Sequence, residues 1–252
     1  MAEAAEPPVP VDIGWHADSE EAALAFLPPE PLDREARALL APAGDGAGAP
    51  GLGDRLFQIR SPFSVRIRIT PRGVRPVRFL RVEEDSTLSE RAFQGLFTYL
   101  ESTAQRRADT PVLQLSLNFL MLTEEACTLN LLPPFLAPGF RDWPGTLVSG
   151  RFPLRSWPRA LNAVLEWQDR DRDWVLRRGD PLAYFTVSFD DPRKVPRLVE
   201  AATTPAFRLQ FDRISGVVEY ARNVAPMFAE AERRRPARLL TPKRTGTRAW
   251  DD

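Results

Sequence analysis

Alternation of apolar and polar residues dominates the middle of the chain. In residues 63–70, Phe63, Val65, Ile67 and Ile69 alternate with polar or charged side chains. Residues 112–122 repeat this pattern, and their apolar positions are Leu113, Leu115, Leu117, Phe119 and Met121. A period of two places successive side chains on opposite faces, so both segments predict half-buried strands. A turn at 123–126 and a return at 127–132 indicate a hairpin.

Residues 143–189 add short strands separated by Gly and Pro turns, and we predict strands near 146–154, 160–168, 173–178 and 182–189. Helical spacing predicts one inserted helix over residues 88–106, and helices over 195–202 and about 212–232. The sequence therefore predicts a β-rich α+β fold. Its antiparallel core would be a sandwich, jelly roll or barrel, with one inserted helix and C-terminal helices.

Composition divides the chain into three parts. Residues 1–54 are rich in Pro, Ala and Gly and predict a flexible N-terminal arm with short helices. Residues 55–232 predict a single β-rich domain that ends in helices, and residues 233–252 predict a basic C-terminal tail. The N-terminus lacks the basic start and apolar centre of a signal peptide. Since Cys127 is the single cysteine, no intramolecular disulfide can form, and we expect a cytoplasmic protein.

Charge and residue counts exclude several classes of function. The chain has 34 basic and 34 acidic residues, and this balance argues against a nucleic-acid partner. No apolar run approaches the ~20 residues that span a bilayer, so no membrane partner is expected. The expected partner is a polar or anionic small molecule, and the sequence is compatible with an oligomer.

The single histidine limits the available chemistry. His16 lies near the N-terminus, outside the predicted β core. Metal sites of the histidine–carboxylate kind and Ser-His-Asp triads in that core are therefore not expected. The chain also lacks a GxxxxGK[ST] phosphate loop and a Cys/His zinc cluster. We expect no metal site and no cofactor, and Mg²⁺ enters only under an enzyme hypothesis.

Polar side chains that share a strand face are the candidates for ligand binding. Arg66 and Arg68 share a face of the first strand, and Gln114, Ser116 and Asn118 share a face of the second. Two guanidinium groups lining a concavity would form an anion site, and a polar row inside a barrel can line a ligand cavity. The alternative for both sets is an ordinary solvent-facing sheet surface.

An enzyme hypothesis has its own candidates, Glu166, Asp180 and Tyr184. Glu166 precedes Trp167, and a carboxylate against aromatic surface can act as a general acid or base. A Glu that is exposed or ion-paired, a turn-forming Asp180 and a core Tyr184 are the structural alternatives. Trp157 is either part of an aromatic ligand platform or a packing residue.

Several residue groups carry a resemblance, and they are Pro111–Asn118, Leu132–Phe135, Trp143–Gly145, Gly150–Phe152, Trp157–Arg159, Glu166–Trp167 and Arg178–Leu182. In spacing and residue type they resemble an uncharacterised family of bacteria and tailed phages, over about residues 55–190. That family is a domain of unknown function, so the resemblance implies no activity. The Gly179-Asp180 turn between strands is also similar to the dUTPase-like β fold. The catalytic tyrosine–aspartate motif of that fold is not found at a fitting place, so this similarity implies architecture only.

Three functional hypotheses follow. The first is a β-rich binding module that holds a polar or anionic ligand on the face carrying the two arginines and the polar row. The second is an enzyme that uses carboxylate, tyrosine and arginine chemistry on an acidic or nucleotide-like metabolite. The third is a phage-derived structural or assembly protein, which needs no pocket and predicts a large exposed apolar patch.

Overall fold

The structure is a computed structural model, and it describes residues 7–40, 51–100, 110–156, 160–218 and 224–243. Its strands are β1 (Val9–Ala17), β2 (Glu30–Pro31), β3 (Leu56–Arg60), β4 (Val65–Ile69), β5 (Phe79–Val82), β6 (Phe97–Leu100), β7 (Val112–Leu122), β8 (Thr128–Leu132), β9 (Gly145–Leu147), β10 (Gly150–Pro153), β11 (Ala160–Trp167), β12 (Trp174–Leu176), β13 (Pro181–Ser188) and β14 (Lys194–Glu200). Its α-helices are α1 (Glu20–Ala25), α2 (Arg34–Ala38), α3 (Leu52–Arg55), α4 (Glu90–Leu96), α5 (Pro205–Val218) and α6 (Val224–Arg234).

These strands form three sheets. Sheet A has the order β14-β1-β7-β11-β9, and β6 also pairs with β7. Sheet B has the order β10-β8-β13-β3-β2, and sheet C has the order β12-β4-β5. All pairings are antiparallel except that of β1 with β14, which makes sheet A mixed. The prediction of a β-rich α+β fold with a sandwich- or barrel-like core is confirmed.

One hydrophobic core receives side chains from all three sheets. The alternating apolar residues of the two clearest predicted strands lie in it, namely Phe63, Val65, Ile67, Ile69, Leu113, Leu115, Leu117, Phe119 and Met121. Trp143, Trp167 and Trp174 also belong to this core, and the rings of Trp143 and Trp174 meet edge to face at 5.1 Å. Burial of aromatic surface is therefore the structural use of these three tryptophans. The face of each sheet turned away from this core is called its outer face below.

Strand β1 differs from the sequence expectation, which placed residues 1–54 in a flexible arm. It lies inside sheet A, between β7 and β14, and the side chain of Ile13 is completely buried in the core. The carboxylate of Asp12 accepts a hydrogen bond from Arg197 on β14 at 2.6 Å. The fold therefore includes residues well before Arg55, and β7 and β14 supply the hydrogen-bond partners of β1.

Two segments predicted as helices contain strands instead. Most of the segment 195–202 lies in β14, which pairs with β1, and the helix predicted over 88–106 stops at Leu96. There α4 gives way to β6, which pairs with the first half of β7. Pairing along an open sheet edge overrides a modest helical preference in both cases. Residues 101–109 lie outside the described part of the chain.

The C-terminal segment, defined here as Arg235–Lys243, packs on the outer face of sheet A, although the sequence predicted a basic tail from residue 233. Leu239 and Leu240 are buried beside Phe207 of α5. Pro242 forms a β-bridge with Ala201. Within the described residues, no helix is long and apolar enough to cross a membrane.

Candidate functional site

The three candidate catalytic residues do not share a site. Glu166 is buried. It lies on the outer face of sheet A, since its neighbours Leu165 and Trp167 point into the core. Tyr184 is buried on the outer face of sheet B, in a separate cluster. Asp180 lies in the turn before β13, where its carboxylate accepts the amide hydrogen bond of Arg177 at 2.9 Å. The core therefore lies between Glu166 and Tyr184, and Asp180 has a turn-forming role.

The phenol of Tyr184 is also poorly suited to proton transfer. Burial raises the pKa of Tyr184 to about 12, with a further contribution from the nearby Asp33 carboxylate. The ring meets Phe135 edge to face at 5.5 Å. At neutral pH the hydroxyl stays protonated, and the packing of the ring is the role that the structure documents.

The two candidate arginines lie on sheet C, away from the polar row, and both face carboxylates. Arg68 makes two hydrogen bonds with Asp173, at 3.0 and 2.8 Å. Arg66 forms an ion pair with Asp85 at 2.6 Å and lies 3.9 Å from Asp173. Since their charges are matched by protein carboxylates, these arginines do not form an open anion site with the polar row.

The polar row itself is where the sequence placed it, on the outer face of β7. Gln114, Ser116 and Asn118 are half-buried, while Leu115 and Leu117 between them point into the core. Asn162 on β11 lies directly opposite Ser116 in the strand register and faces the same way. The structure thus widens the predicted single row into a patch across two strands.

An irregularity in the strand pairing shapes this patch at Asn118. Ser116 pairs with Asn162, and Leu120 pairs with Ala160, so the β7 segment between these pairs is longer than the β11 segment opposite it. Asn118 takes up the extra length with a positive φ of 53°, a conformation that Asn tolerates better than most residues. Its side-chain oxygen accepts a hydrogen bond from the Ser116 hydroxyl at 2.5 Å. Bulges of this kind often re-aim a side chain beside a binding site.

His16 belongs to the same face of sheet A, contrary to the sequence expectation that it lies outside the β core. It pairs with Leu120 across β1 and β7, and its ring packs edge to face on Phe207 at 4.8 Å. Its Nδ1 lies 3.2 Å from the carbonyl oxygen of Ala201, and its Nε2 lies 3.4 Å from Oγ1 of Thr203. The only histidine of the chain is therefore held in place at the edge of the patch.

Asp18 connects His16 to the polar row. Its backbone amide donates to the carbonyl oxygen of Asn118 at 3.0 Å, which brings the end of β1 against the irregular part of β7. Burial raises the pKa of the Asp18 carboxyl, and the charge of nearby His16 acts in the opposite direction. We call the resulting surface the polar strip, and its members are His16, Asp18, Gln114, Ser116, Asn118 and Asn162.

The sequence pattern predicts three members of the polar strip, Gln114, Ser116 and Asn118, and does not predict His16, Asp18 and Asn162. The period of two relates Gln114, Ser116 and Asn118, whereas His16 and Asp18 fall in the predicted flexible arm. The missed signal is in the residues of β1, where Val11, Ile13, Trp15 and Ala17 alternate with Asp12, Gly14 and His16. That alternation indicates a strand in spite of the nearby prolines.

Other chemistry is sparse in the described residues. No group of three or more His, Cys, Asp or Glu side chains in that part of the chain is placed to hold a metal ion. Burial raises the pKa of Cys127 to about 12, so its thiol is a poor nucleophile at neutral pH. Trp157, the remaining candidate, lies outside the described residues.

His16 makes stability depend on pH. Burial lowers the pKa of its imidazole below 6.5; the Ala201 carbonyl, Glu200 and Asp18 act in the opposite direction, and Lys243 reinforces the lowering. The unfolded chain therefore binds a proton more readily than the folded chain, and stability is lost as the pH falls through 6.5 towards the folded-state pKa. We expect the urea midpoint to drop between pH 7.5 and 5.5, and to drop less in His16→Gln. Equal drops in both proteins would contradict the role of His16.

The chain matches no protein-family model, and no curated protein is significantly similar to it.

Proposed function

We propose that this protein is a non-catalytic β-sandwich module that binds a polar, uncharged small molecule on the polar strip. The observation that supports this function best is the unused hydrogen-bonding capacity of the strip. Among the described residues, the side chains of Gln114 and Asn162 form no hydrogen bond, although both are half-buried. Amides offer donors and acceptors together, which suits a ligand with both kinds of group.

The rest of the charged surface contrasts with the strip. Ion pairs of 2.5–2.6 Å join Arg155 to Glu232, Lys194 to Glu125 and Lys243 to Glu200, among many others. In each pair the two side chains satisfy each other's charge and hydrogen-bonding groups, so few of these groups remain for a ligand. The strip has no Arg or Lys, and its formal charge comes from Asp18 alone. An anionic ligand, one of the two kinds expected from sequence, is therefore disfavoured, and we retain the uncharged polar ligand.

The two other hypotheses have less support. An enzyme that uses Glu166, Asp180 and Tyr184 together needs one shared cavity, and these residues lie apart. An assembly protein needs a large exposed apolar patch. Among the described residues, the exposed apolar side chains are distributed over separate elements, such as Leu24 on α1 and Leu80 on β5. A cytoplasmic location remains part of this proposal.

The test is a binding screen against the full chain. Uncharged polar molecules (monosaccharides, polyols and nucleosides) would be compared with phosphate and citrate by NMR chemical-shift perturbation of backbone amides. We expect shifts at β7 and β11 with uncharged molecules, and about tenfold weaker binding in Asn162→Ala, because one or two hydrogen bonds are lost.

The matched control for this screen is Asn130→Ala. Asn130 lies on sheet B, where its amide already donates to Ser188 at 2.8 Å and to Thr186 at 3.3 Å. Its removal should leave ligand affinity unchanged. Binding of anions in preference to uncharged molecules, or shifts confined to sheets B and C, would contradict the proposed function.

A further inference from the structure

Strand β5 forms an open edge of sheet C, because among the described strands it pairs with β4 alone. Arg68 lies opposite Leu80 in the register of these two strands. Just beyond β4, the amide of Thr70 donates to the carbonyl oxygen of Arg78 at 3.1 Å. Since hydrogen-bonded and non-hydrogen-bonded pairs alternate in an antiparallel ladder, Arg78, Leu80 and Val82 direct their backbone groups towards β4. The backbone groups of the residues between them therefore point out of the sheet.

The outward backbone groups of β5 belong to Phe79 and Arg81. Within the described part of the chain, their N–H and C=O groups form no hydrogen bond. Leu80 lies between them on the outer face of the sheet, and its side chain is 47% exposed. Unpaired backbone groups along a strand edge are a template for a strand of another chain. This edge therefore offers a partner strand both hydrogen bonds and apolar surface.

The edge of β14 in sheet A is less accessible to such a strand. Pro196 lies in the middle of β14 and has no N–H to donate. At the end of the same strand, the carbonyl oxygen of Glu200 accepts the amide of Lys243 from the C-terminal segment at 2.7 Å. Part of that edge is therefore already occupied, whereas β5 contains no proline.

The two ends of β5 carry opposite charges. The loop before the strand has exposed arginines, Arg72, Arg75 and Arg78, and the turn Glu83–Asp85 after it is exposed and acidic. Neither Arg78 nor Glu84 forms an ion pair with another described residue. An antiparallel second copy of β5 runs in the opposite direction, so its acidic end lies beside the basic end of the first. The edge is therefore complementary in charge to itself.

We propose that two copies of this chain associate edge to edge through β5, related by a two-fold axis, and thereby join their copies of sheet C into one continuous antiparallel sheet. The inference is independent of the function proposed for the polar strip. In the register that uses the free backbone groups, Phe79 of one copy faces Arg81 of the second copy, and these two residues exchange N–H···O hydrogen bonds. The axis repeats the same pair, which makes the interface isologous.

This register places Leu80 at the axis, beside Leu80 of the second copy. Opposite residues of a non-hydrogen-bonded pair approach to about 4.5 Å between Cα atoms, so the two side chains contact each other and leave water. Arg78 then lies beside the acidic turn of the second copy. A second copy therefore satisfies the backbone groups, the exposed leucine and the charges of this edge together.

Sedimentation velocity of the full chain, from micromolar to millimolar concentration, tests the association. We expect a reversible monomer–dimer equilibrium, because an interface between two short strands is small. Leu80→Lys brings like charges together at the axis and should weaken the dimer by about tenfold or more. Val175→Lys is the matched control, since Val175 is 40% exposed on β12, at the opposite edge of the same sheet. It should leave the equilibrium unchanged, and circular dichroism would show that both variants are folded.

A cysteine at the axis tests the register. Disulfides need Cα atoms about 4.4–6.8 Å apart, a range that includes the spacing expected between the two copies of residue 80. On a non-reducing gel after mild oxidation, Leu80→Cys should give a disulfide-linked dimer and Val175→Cys should not. A monomer at every concentration would overturn the inference. Equal weakening by Leu80→Lys and Val175→Lys, or equal cross-linking of the two cysteine variants, would place the contact elsewhere and overturn it as well.

Discussion

Gly145→Ala is expected to lower the free energy of unfolding by about 2–4 kcal/mol, because a methyl group at this position meets the backbone of the neighbouring strand β11. A Cβ atom at Gly145 would lie 1.9 Å from the carbonyl oxygen of Glu166 and 3.1 Å from Cα of Trp167. These atoms belong to the pairing of β9 with β11. They can move away only if ladder hydrogen bonds lengthen and the buried ring of Trp167 shifts.

Two glycines provide controls for this change. A Cβ at Gly139 would meet nothing within 4 Å, so Gly139→Ala should change stability by less than about 0.5 kcal/mol. A Cβ at Gly14 would lie 2.4 Å from Cδ1 of Leu240, the end of a flexible side chain, so Gly14→Ala should fall between the two. Urea denaturation followed by circular dichroism would measure all three. Equal midpoints for Gly139→Ala and Gly145→Ala would show that β9 is not packed against β11 as described.

Arg235→Ala is expected to have the second large effect, a loss of about 3 kcal/mol, because the guanidinium is buried among acceptors. Its side chain is 4% exposed. It donates to Oε2 of Glu124 at 2.9 Å, to the carbonyl oxygen of Arg155 at 3.0 Å and to the carbonyl oxygen of Thr123. Alanine would leave these acceptors without their donor and would open a gap beneath the C-terminal segment.

Glu124 explains why the C-terminal segment should loosen in this variant. Its Oε1 accepts the backbone amides of Leu239 and Leu240, both at 2.6 Å. Burial acts to raise the pKa of Glu124, but these two amides and Arg235 outweigh it, so the pKa is lowered and the carboxylate stays ionised at neutral pH. Faster amide hydrogen exchange at Leu239 and Leu240 is therefore expected in Arg235→Ala.

A neighbouring arginine serves as the matched control. The side chain of Arg233 is 69% exposed and pairs with Glu230 on the same helix. Surface pairs of this kind contribute about 0–1 kcal/mol, so Arg233→Ala should leave the urea midpoint and the exchange rates nearly unchanged. Similar losses in both variants would indicate that general charge, rather than the buried contacts of Arg235, holds the C-terminal segment.

The sequence predicted those parts of the fold that local patterns determine. The period of two in β4 and β7 identified both strands and assigned their core-facing residues. It could not identify β14, whose sequence is equally compatible with a helix and whose strand form depends on pairing with β1. The same limit applies to β6, which follows a helix without a turn residue and becomes a strand only beside β7.

The members of the polar strip also divide into those that a local pattern predicts and those that depend on distant strand pairing. Gln114, Ser116 and Asn118 are close in sequence, and a strand period relates them directly. His16 and Asp18 reach them through backbone pairing across about a hundred residues, which no local pattern encodes. The arginine prediction assumed that Arg66 and Arg68 share a sheet with the row. The strand order places both arginines on sheet C instead. Their pairing with Asp173 depends on β12, which follows Asp173 and pairs with β4.

The parallel pairing of β1 with β14 has a consequence for how the chain folds during synthesis. Asp12 and Arg197, which pair across these strands, are 185 residues apart. At ~5–20 residues per second, a ribosome would need about 10–40 s to synthesise the intervening chain. During that interval the backbone N–H and C=O groups along one edge of β1 have no partner and are available for pairing with other nascent chains. We therefore expect dependence on chaperones to fall sharply once residue 200 has emerged from the ribosome.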